Sequence, residues 1–485
     1  MDSIVIWSAV LVLVLPISVA VIRTWCIRST GKKPVAASDP VITDLDVEKA
    51  VSHLQQAIRF RTISQDDGHM VQWDEFQRLQ SALADMYPLI HQKLRQRVIG
   101  KANLVYIWEG SDPTLEPAML SAHQDVVPPG DGQQWTHAPF SGDVADGYVW
   151  GRGSFDAKGQ LVAIMEGVEI LLAAGFQPRR TWWMAFGCDE EVRGPNGARQ
   201  IASTLVEEHR RFAFVLDEGG VVAMGMLAGL NRPVATIGIV EKGNINLKLT
   251  CIKDGGHSST PMNPTSLGII AAAVARIENS QMRARFTAPV RSLFNTLGEH
   301  TGFPLAVVFL NLWLFSWVVV FTQRKNRQIN ALLRTTHAAT MAQGSEVPNA
   351  ISTVSTAMVN FRLLPGTTEK TILSWVGRRI HDKRISLEII SDSGSSRVSD
   401  TQSQGFRDIK ETISAIYPCA ITTAYMMTGG TDALWYEQIS DCVYRFTPAV
   451  MDNENLARMH NVDERFSIIN LGKAVQFYIH LIQHA

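Results

Sequence analysis

The sequence is poor in cysteine and has no excess of charge of either sign. Five cysteines in 485 residues exclude a small scaffold built on disulfide bonds. The 45 basic and 46 acidic residues give a formal net charge of −1, whereas nucleic-acid-binding proteins normally carry a basic face. We therefore expect no nucleic-acid partner. The hydrophobic fraction of 46% excludes wholesale disorder, and the length predicts roughly two or three domains.

Several short motifs are also absent. The chain has no His-Glu-X-X-His motif, no Gly-X-Ser-X-Gly motif and no Gly-X-X-X-X-Gly-Lys motif. These absences exclude a zinc site on a single helix, the nucleophile elbow of serine hydrolases and a phosphate-binding loop. There is no Asn-X-Ser/Thr glycosylation sequon either, since Asn263 is followed by Pro264.

The N-terminal part of the chain contains a long uncharged segment. Residues 4–22 are 19 consecutive uncharged, mostly apolar residues, a length that just crosses a bilayer. Ser18 and Ala20 suit signal-peptide cleavage, so the segment is either a signal peptide or an uncleaved anchor. The basic residues that follow, beginning at Arg23, would instead place the bulk of the chain in the cytosol by the positive-inside rule. We predict entry into the secretory pathway, with the protein secreted or membrane-anchored through residues 4–22.

A second apolar run lies in the middle of the chain. Residues 305–321 carry no charge and are rich in tryptophan and phenylalanine, and 17 residues is the lower limit for a membrane span. The polar Asn311 and the position of the run inside a folded region favour a buried helix or an apolar surface helix. Apposition of this helix to a membrane is the alternative.

From about residue 44, short apolar strands alternate with helices. Strands are predicted over residues 118–123, 181–187 and 212–216, and helices over residues 160–174 and 197–211. Strands separated by helices of this length are typical of βαβ units. We therefore predict an α/β fold with a largely parallel central sheet flanked by helices.

The pattern changes after residue 241. Half-buried strands are predicted over residues 246–253 and 351–363, and helices over residues 266–277 and 368–380. Such elements are typical of a small α+β domain with one open sheet face. From about residue 397 the first pattern returns, and it closes with a helix over residues 465–483. The predicted organisation is a targeting segment and linker (1–43), a main domain in two parts (44–241 and 397–485) and an inserted domain (242–396).

Acidic residues and histidines follow the predicted strands at four places. They are His123 with Asp125, Asp156 in a glycine-rich loop, Glu190 with Glu191, and Asp217 with Glu218. The loops beyond the C-terminal ends of parallel strands share one edge of the sheet, so these clusters should converge. One acidic pair is usually a helix cap or a solvated turn, but four at successive strand ends are not explained that way. Divalent cations neutralise such a mixture of carboxylate and imidazole, so the residues predict a two-metal site.

The order of the motifs resembles one family of enzymes. The chain carries, in order, SAHQDVVP, GRGSFDAKG, DEE, LDEGG, GGHSS, PNAIS, NFRLLPG, GGTDA and RMHNVDE. From about residue 45 to the C-terminus this series resembles the metallopeptidases that include aminoacylase-1, carboxypeptidase S, carnosinase and the glutamate carboxypeptidases. PFSG, EKGNINL, NLWLF and YRFTP are most similar to the branch of secreted N-fatty-acyl-amino-acid synthase/hydrolases. The resemblance implies a catalytic domain with an inserted lid or dimerisation domain.

The resemblance also implies two zinc ions per chain. Asp156 would bridge them, with His123 and Asp217 on one ion. Glu191 and His460 would bind the other ion. A bridging carboxylate suits two metals about 3.5–4 Å apart.

The same resemblance implies roles for the carboxylates of Glu190 and Asp125. Glu190 would be the general base, because adjacent Glu190 and Glu191 cannot both face one ion from the end of a strand. Asp125 would orient the imidazole of His123, and its position two residues away suits a carboxylate that fixes the tautomer of a metal-bound histidine.

Residues of the insert and of the late glycine pair would contact the substrate. His257 would polarise the substrate carbonyl, often across a dimer interface in this family, although such a histidine on its own is usually a turn residue. Arg362 and Asn349 would hold the free carboxylate and its polar neighbours, and arginine binds carboxylates bidentately. On its own, Arg362 is equally an outward-facing strand residue. Gly429 and Gly430 would let the backbone approach the substrate closely.

The implied activity is cleavage, and reversible formation, of an amide between an acyl group and an amino acid with a free carboxylate. A long-chain fatty acyl group is favoured by the apolar run at residues 305–321, which would also bring the protein to a membrane or lipoprotein surface. Gly430 replaces an asparagine, and Ala157 replaces an acidic residue, of the fatty-acyl branch, which leaves substrate detail open. The alternatives are a carboxypeptidase S-like peptidase or dipeptidase, and a binding protein without activity. A homodimer through the lid domain is a further expectation.

Overall fold

The computed structural model describes residues 2–29, 45–65, 68–225 and 230–485, with the side chains of the first helix described from residue 14. The helices are α1 (Asp2–Ser29), α2 (Val47–Arg59), α3 (Trp73–Met86), α4 (Pro88–Lys93), α5 (Lys158–Ala173), α6 (Ala198–Glu207), α7 (Ser266–Glu278), α8 (Ala288–His300), α9 (Phe303–Leu310), α10 (Leu312–Gln323), α11 (Arg327–Leu333), α12 (Glu369–Ile380), α13 (Gln404–Ile416), α14 (Ala433–Tyr436), α15 (Asn453–Arg458) and α16 (Ile468–His484). The strands are β1 (Arg95–Ile99), β2 (Asn103–Trp108), β3 (Ala118–His123), β4 (Val144–Ala145), β5 (Tyr148–Trp150), β6 (Trp182–Gly187), β7 (Phe214–Asp217), β8 (Val222–Ala223), β9 (Val234–Glu241), β10 (Gly243–Ile252), β11 (Gly256–His257), β12 (Thr336–Gln343), β13 (Ala350–Ile351), β14 (Val354–Leu363), β15 (Ile385–Asp392), β16 (Ile421–Met427), β17 (Val443–Arg445), β18 (Val450–Met451) and β19 (Arg465–Ser467).

Ten strands form one large sheet, in the order β1-β2-β6-β3-β7-β17-β9-β8-β18, with β16 also paired to β9. At its centre β3 runs parallel to β6 and β7, and β17 runs parallel to β7. β16 and β18 add two further parallel pairs, whereas β1 and β2 form an antiparallel edge. The prediction of an α/β fold with a largely parallel central sheet is confirmed.

The central strands are apolar on both faces because helices cover both faces. β2, β3 and β6 are buried at every position, as expected for strands of a covered parallel sheet. Alternate residues face opposite sides. Leu120 and Met184 join the core cluster of α5 and α16, whereas Met119 and Trp183 join the cluster of α6.

The C-terminal helix begins later than the sequence indicates. Residues 465–467 form β19, which pairs with β5 in a small three-stranded sheet. Ser467 then caps α16 by accepting a hydrogen bond from the backbone N–H of Asn470 at 3.4 Å. Capping satisfies one of the free N–H groups of the first helical turn and fixes the start of the helix.

The second sheet has the order β12-β14-β10-β15 and draws all four strands from residues 243–392. Its β10 and β14 alternate between buried and half-buried residues, and α7 and α12 cover its buried face. Helices α8 to α11 behave differently. Phe294, Leu297 and Phe309 share the core cluster of the large sheet with Ile421 and Met426. Residues 288–333 therefore pack with the main domain, although the sequence pattern placed them in the insert.

The two apolar runs of the sequence form separate helices. Residues 305–321 fall on α9 and α10, which are broken at Asn311 and bent by 110°. Among the described residues, no single helix is long and apolar enough to cross a bilayer, whereas this bent pair meets the criteria when its helices are taken together. Residues 4–22 fall on α1, and their side chains before residue 14 lie outside the described part.

Candidate dimetal site and substrate cavity

The four predicted acidic clusters lie at one edge of the large sheet. His123 ends β3 and Asp217 ends β7, and these strands are neighbours. Glu190 and Glu191 form a 3-10 turn directly beyond β6, on the other side of β3. Asp156 lies in the loop before α5. Parallel strands thus bring together side chains that are distant in the sequence.

Asp156 lies between two imidazoles and faces each with a different oxygen. Its Oδ1 is 3.1 Å from Nε2 of His123, and its Oδ2 is 3.0 Å from Nε2 of His460. Nε2 of His460 is also 3.0 Å from Oε2 of Glu191. This is the arrangement expected of a carboxylate that bridges two ions, each with its own histidine.

Glu218, rather than Asp217, completes the donor set on the His123 side. Oε2 of Glu218 is 3.3 Å from Nε2 of His123, and the two residues form a potential metal-binding group with Asp156. Asp217 is the last residue of β7 and Glu218 follows it. Burial raises the pKa of Asp217 and the charge of His123 acts against that rise, so Asp217 is also buried near this imidazole. Asp217 acts on buried Asp432, whose pKa is raised by burial and then by the charge of Asp217. In this structure Glu218, and not Asp217, belongs to the potential metal-binding group, and the role of Asp217 as a ligand stays a prediction.

Asp125 differs in detail from its predicted role. Nδ1 of His123 donates to the backbone carbonyl of Asp125 at 2.9 Å, while the nearer carboxylate oxygen is 3.5 Å away. The carboxylate instead accepts hydrogen bonds from the backbone N–H groups of Glu190 and Glu191, both at 3.1 Å. Asp125 therefore orients the imidazole mainly through its main chain, and its side chain holds the turn that carries the two glutamates.

The electrostatics of the cluster suit divalent cations. Burial raises the pKa of Glu190 well above its usual range and that of Glu218 to about 8. Burial, followed by the charge of Asp156, raises the pKa of Glu191 to about 7. Oε1 of Glu191 is buried and has no hydrogen-bond partner among the described residues. Carboxylates crowded in this way favour a metal ion as their counter-charge, so the residues fit bound divalent metal ions.

Glu464 is a supporting residue that the sequence did not single out. Its carboxylate accepts hydrogen bonds from the backbone N–H groups of Gly153, Phe155 and Asp156 at 2.9–3.1 Å. It also forms a buried ion pair with Arg152 at 2.5 Å. The C-terminal segment thus provides both His460 and the anchor for the loop of Asp156. The only sequence signal for Glu464 is its place at the end of RMHNVDE.

A cavity of about 820 Å³ opens over the donors. Asp156, Glu190, Glu191, Glu218 and His460 line its floor. The lining also includes apolar side chains, which we call the apolar wall: Val221, Met224, Tyr425, Met427, Leu456 and Met459. A reacting group held over the metal donors would thus have an apolar surface beside it.

The lining also contains a group of cations, which we call the cationic end. It consists of Arg193, Lys242 and Arg362 together with Asn244. Burial, followed by the charge of Arg193, lowers the pKa of Arg362. Burial and then Arg362 lower the pKa of Lys242 to about 7. Cations forced together in this way are stabilised by a bound anion, so the site is suited to a carboxylate.

Arg193 has no signal in the sequence beyond its place two residues after Glu191. It has a left-handed backbone (φ 74°) and ends the 3-10 turn by donating its N–H to the carbonyl of Glu190 at 2.6 Å. Nε1 of Trp435 donates to its carbonyl at 3.0 Å. The turn that carries the metal donors therefore also fixes a cation at the cavity wall.

The late glycines lie where the resemblance implies. Gly429 and Gly430 line the cavity, and a side-chain methylene added at Gly430 would be 3.5 Å from Oε2 of Glu241. Glu241 accepts hydrogen bonds from the N–H and the hydroxyl of Thr431 and pairs with buried Arg445 at 2.7 Å. This pair fixes the glycine loop against the large sheet.

His257 and Asn349 are not brought to the cavity within one chain. They lie together on the exposed β11–β13 ribbon, where the N–H of Ser258 donates to the carbonyl of Asn349 at 3.0 Å. Nδ1 of His257 is 2.8 Å from the hydroxyl of Ser259. Neither residue lines the cavity, so neither can reach the metal donors of its own chain in this conformation.

The geometry predicts a difference between two adjacent carboxylates. Glu218→Gln should lose roughly half of the bound metal on dialysis, because the amide is a poor ligand beside His123. Asp217→Asn, the matched change one residue away, should keep the full metal content. Metal analysis of the two purified variants distinguishes them. Metal loss confined to Asp217→Asn would return the ligand role to Asp217.

Comparisons with known proteins identify the family of the chain. The profile of peptidase family M20/M25/M40 matches residues 119–484. A probable carboxypeptidase S-like 2 of Dictyostelium discoideum is 37% identical over 469 residues, which cover 94% of this chain and 90% of that protein. The N-fatty-acyl-amino acid synthase/hydrolase PM20D1 of Xenopus tropicalis is 35% identical over 482 residues, or 98% and 93% of the two chains.

Two solved structures share the fold. The M20 family metallo-carboxypeptidase Sso-CP2 of Sulfolobus solfataricus superposes with a TM-score of 0.66 at 14% identity, covering 89% of this chain and 98% of its own. Human carnosine dipeptidase 1 also gives a TM-score of 0.66, at 15% identity, covering 90% and 96%. On the profile match and the sequence relatives, the chain belongs to peptidase family M20/M25/M40 and is a metallohydrolase that acts on amide bonds.

Proposed function

We propose that the enzyme holds two zinc ions and cleaves, or in reverse forms, the amide between a long-chain acyl group and an amino acid with a free carboxylate. The observation that carries this proposal is the cavity itself. Its lining combines metal donors, cationic side chains and apolar side chains. An N-acyl amino acid carries the three matching groups, an amide, a carboxylate and a hydrocarbon chain.

Glu190 is the residue best suited to move protons. It lines the cavity, and its backbone N–H is fixed by Asp125, so its carboxylate is held beside the donor set. When bound, the two ions would polarise the amide carbonyl and lower the pKa of a water molecule. Glu190 accepts a proton from that water and delivers it to the leaving amine.

The cationic end would recognise the free carboxylate of the amino acid. Arg362 reaches the cavity from β14, and Arg193 reaches it from the turn after Glu191. Because the two arginines come from separate elements, their guanidiniums could contact a carboxylate from two directions. The apolar wall of Val221, Met224 and Met427 would receive the acyl chain.

The second candidate is a carboxypeptidase that releases C-terminal amino acids. It uses the same metals and the same carboxylate clamp, and the name of the Dictyostelium relative favours it. The two functions differ only in the substrate group that would contact the apolar wall. Kinetics on a fatty-acyl amino acid and on a dipeptide with the same C-terminal residue would separate them: kcat/KM should be higher for the acyl substrate.

We further propose that His257 acts in the cavity of a second copy of the chain. The support is its exposure on the β11–β13 ribbon, away from its own metal donors, together with the family resemblance of GGHSS. From a partner subunit its imidazole would donate a hydrogen bond to the carbonyl oxygen as negative charge develops there.

Loss of the proposed base should abolish turnover without loss of metal. Glu190→Gln keeps the size of the side chain but cannot accept a proton, so kcat should fall by about 10²–10⁴-fold. Metal content should stay at the wild-type level, as measured on the same preparation. Glu207→Gln, at an exposed position of α6, is the control and should be fully active. A near-normal rate for Glu190→Gln would assign the base elsewhere.

Loss of the carboxylate clamp should depend on the substrate. Arg362→Ala should raise KM by about 30-fold or more for a substrate with a free α-carboxylate, and change little for its amidated analogue, since a desolvated charged contact is worth about 2–5 kcal/mol. Arg378→Ala, on the exposed face of α12, is the matched control in the same small-sheet region. Equal losses on free and amidated substrates would make Arg362 a structural residue.

Mixed dimers test the role of His257. His257→Ala and Glu190→Gln homodimers should both be nearly inactive, because each cavity lacks one group. A mixed dimer has one cavity with both groups intact if His257 crosses the interface, so co-expression should restore roughly a quarter of wild-type activity. No recovery in a verified mixed dimer would show that His257 does not act across the interface.

A further inference from the structure

We propose that α9, α10 and residues 14–29 of α1 together form a docking surface for an anionic phospholipid bilayer. We call this surface the hairpin face. It is separate from the metal donors and from the cavity lining. The inference goes beyond amide hydrolysis, because it assigns a partner to a part of the chain that has no role in the chemistry.

The first observation is a concentration of exposed large apolar side chains. Phe303, Leu305, Trp313, Trp317 and Phe321 on α9 and α10 are between 41% and 68% exposed. Isolated exposed apolar residues are normal on any protein, but five within one bent helix pair are not. The neighbouring α1 adds Val14, Leu15, Ile17, Ile22 and Trp25, each 49% exposed or more. The apolar surface is therefore shared by three helices.

The second observation is how α1 is attached to the bent pair of α9 and α10. Asn311, fully buried at the break between α9 and α10, donates from Nδ2 to the carbonyl of Ala20 at 3.1 Å and to the hydroxyl of Thr24 at 3.0 Å. Nη1 of Arg28 donates to the carbonyl of Thr301 at 2.6 Å. These bonds fix α1 against α9 and α10 and explain the polar Asn311 in the middle of the apolar run.

The distribution of buried and exposed residues on α1 is the reverse of that on a helix that packs on a water-soluble core. The small residues Ala20 and Thr24 face inward, whereas Ile22 and Trp25 face outward. A helix on a water-soluble core buries its large apolar residues and exposes its polar ones. Small residues at the helix contact and large apolar residues outside are the pattern of helices packed in lipid.

Charge and length indicate where this surface lies in a membrane. Arg324, Lys325 and Arg327 follow α10, and no acidic residue occurs between Glu299 and Glu346 in the sequence. A basic rim complements anionic headgroups, and exposed tryptophans are typical of the bilayer interface. α9 and α10 have 8 and 12 residues and are bent by 110°, so neither is long enough to span a bilayer. They are suited to lie in the interface.

The hairpin face is also close to the cavity. α11 follows α10 after three residues, and its Gln328 lines the cavity. Nζ of Lys242 donates to the carbonyls of Ala331 and Arg334 at 3.0 and 2.8 Å, which ties α11 to the cationic end. If the proposed function holds, a membrane-dissolved acyl amino acid would have a short path from lipid to the cavity.

Vesicle flotation tests the surface on the full chain. The wild type should float with vesicles of phosphatidylcholine and phosphatidylserine, and less with phosphatidylcholine alone. The triple change Trp313→Ser, Trp317→Ser and Phe321→Ser should lower the bound fraction by about tenfold, because it removes the apolar area that enters the interface. The matched control is Ile252→Ser, Met341→Ser and Ile390→Ser, which alters equally exposed apolar residues of the small-sheet region and should change nothing.

A second measurement avoids a variant that disturbs folding. Brominated phospholipids should quench the fluorescence of the wild type. Trp313→Phe with Trp317→Phe should lose a measurable part of this quenching while still floating, and the remainder should come from Trp25 on the same surface. Wild-type flotation by the triple serine variant would show that α1 alone attaches the chain, and would overturn the proposal. So would unquenched Trp313 and Trp317, or a triple variant that changes only from dimer to monomer, since a second copy would then cover the face. These outcomes do not depend on activity, so they leave the proposed function to its own tests.

Discussion

The two-sided position of the Asp156 carboxylate is the constraint on which the rest of the site depends. Its two oxygens face His123, from the first part of the main domain, and His460, from the second part. A bridge of this kind requires that the segments carrying His123 and His460 are held in fixed positions on either side of Asp156. Glu464 provides that condition, because it accepts three backbone hydrogen bonds from the Asp156 loop and lies four residues after His460.

At the cavity, too, one short segment carries several functional residues. The turn that presents Glu190 and Glu191 is held by the carboxylate of Asp125 and ends at Arg193, so one short segment carries both metal donors and a cation. A change that loosens this turn would disturb chemistry and binding together. The glycine loop of the same cavity depends on a buried pair, Glu241 with Arg445.

Much of the fold was predictable because the central strands are buried on both faces. β3 has the bounds that the apolar run indicates, and the strand ends bring the donors to one edge. The grouping of Glu218 rather than Asp217 with His123 and Asp156 was not predictable, since at a strand end the sequence does not show which carboxylate lies beside the histidine. Nor was the packing of residues 288–333, because an apolar helix can cover either sheet. Arg193 and Glu464 act through tertiary contacts that no local pattern encodes.

The most direct test of the account is the metal content of Asp156→Ala. Zinc per chain would be measured by elemental analysis on the full-length wild type, on this variant and on the exposed control Asp143→Ala. The account predicts about two zinc ions per chain in the wild type and the control, and loss of both ions in Asp156→Ala, because one carboxylate serves both. Retention of one ion per chain in Asp156→Ala would contradict the bridging role.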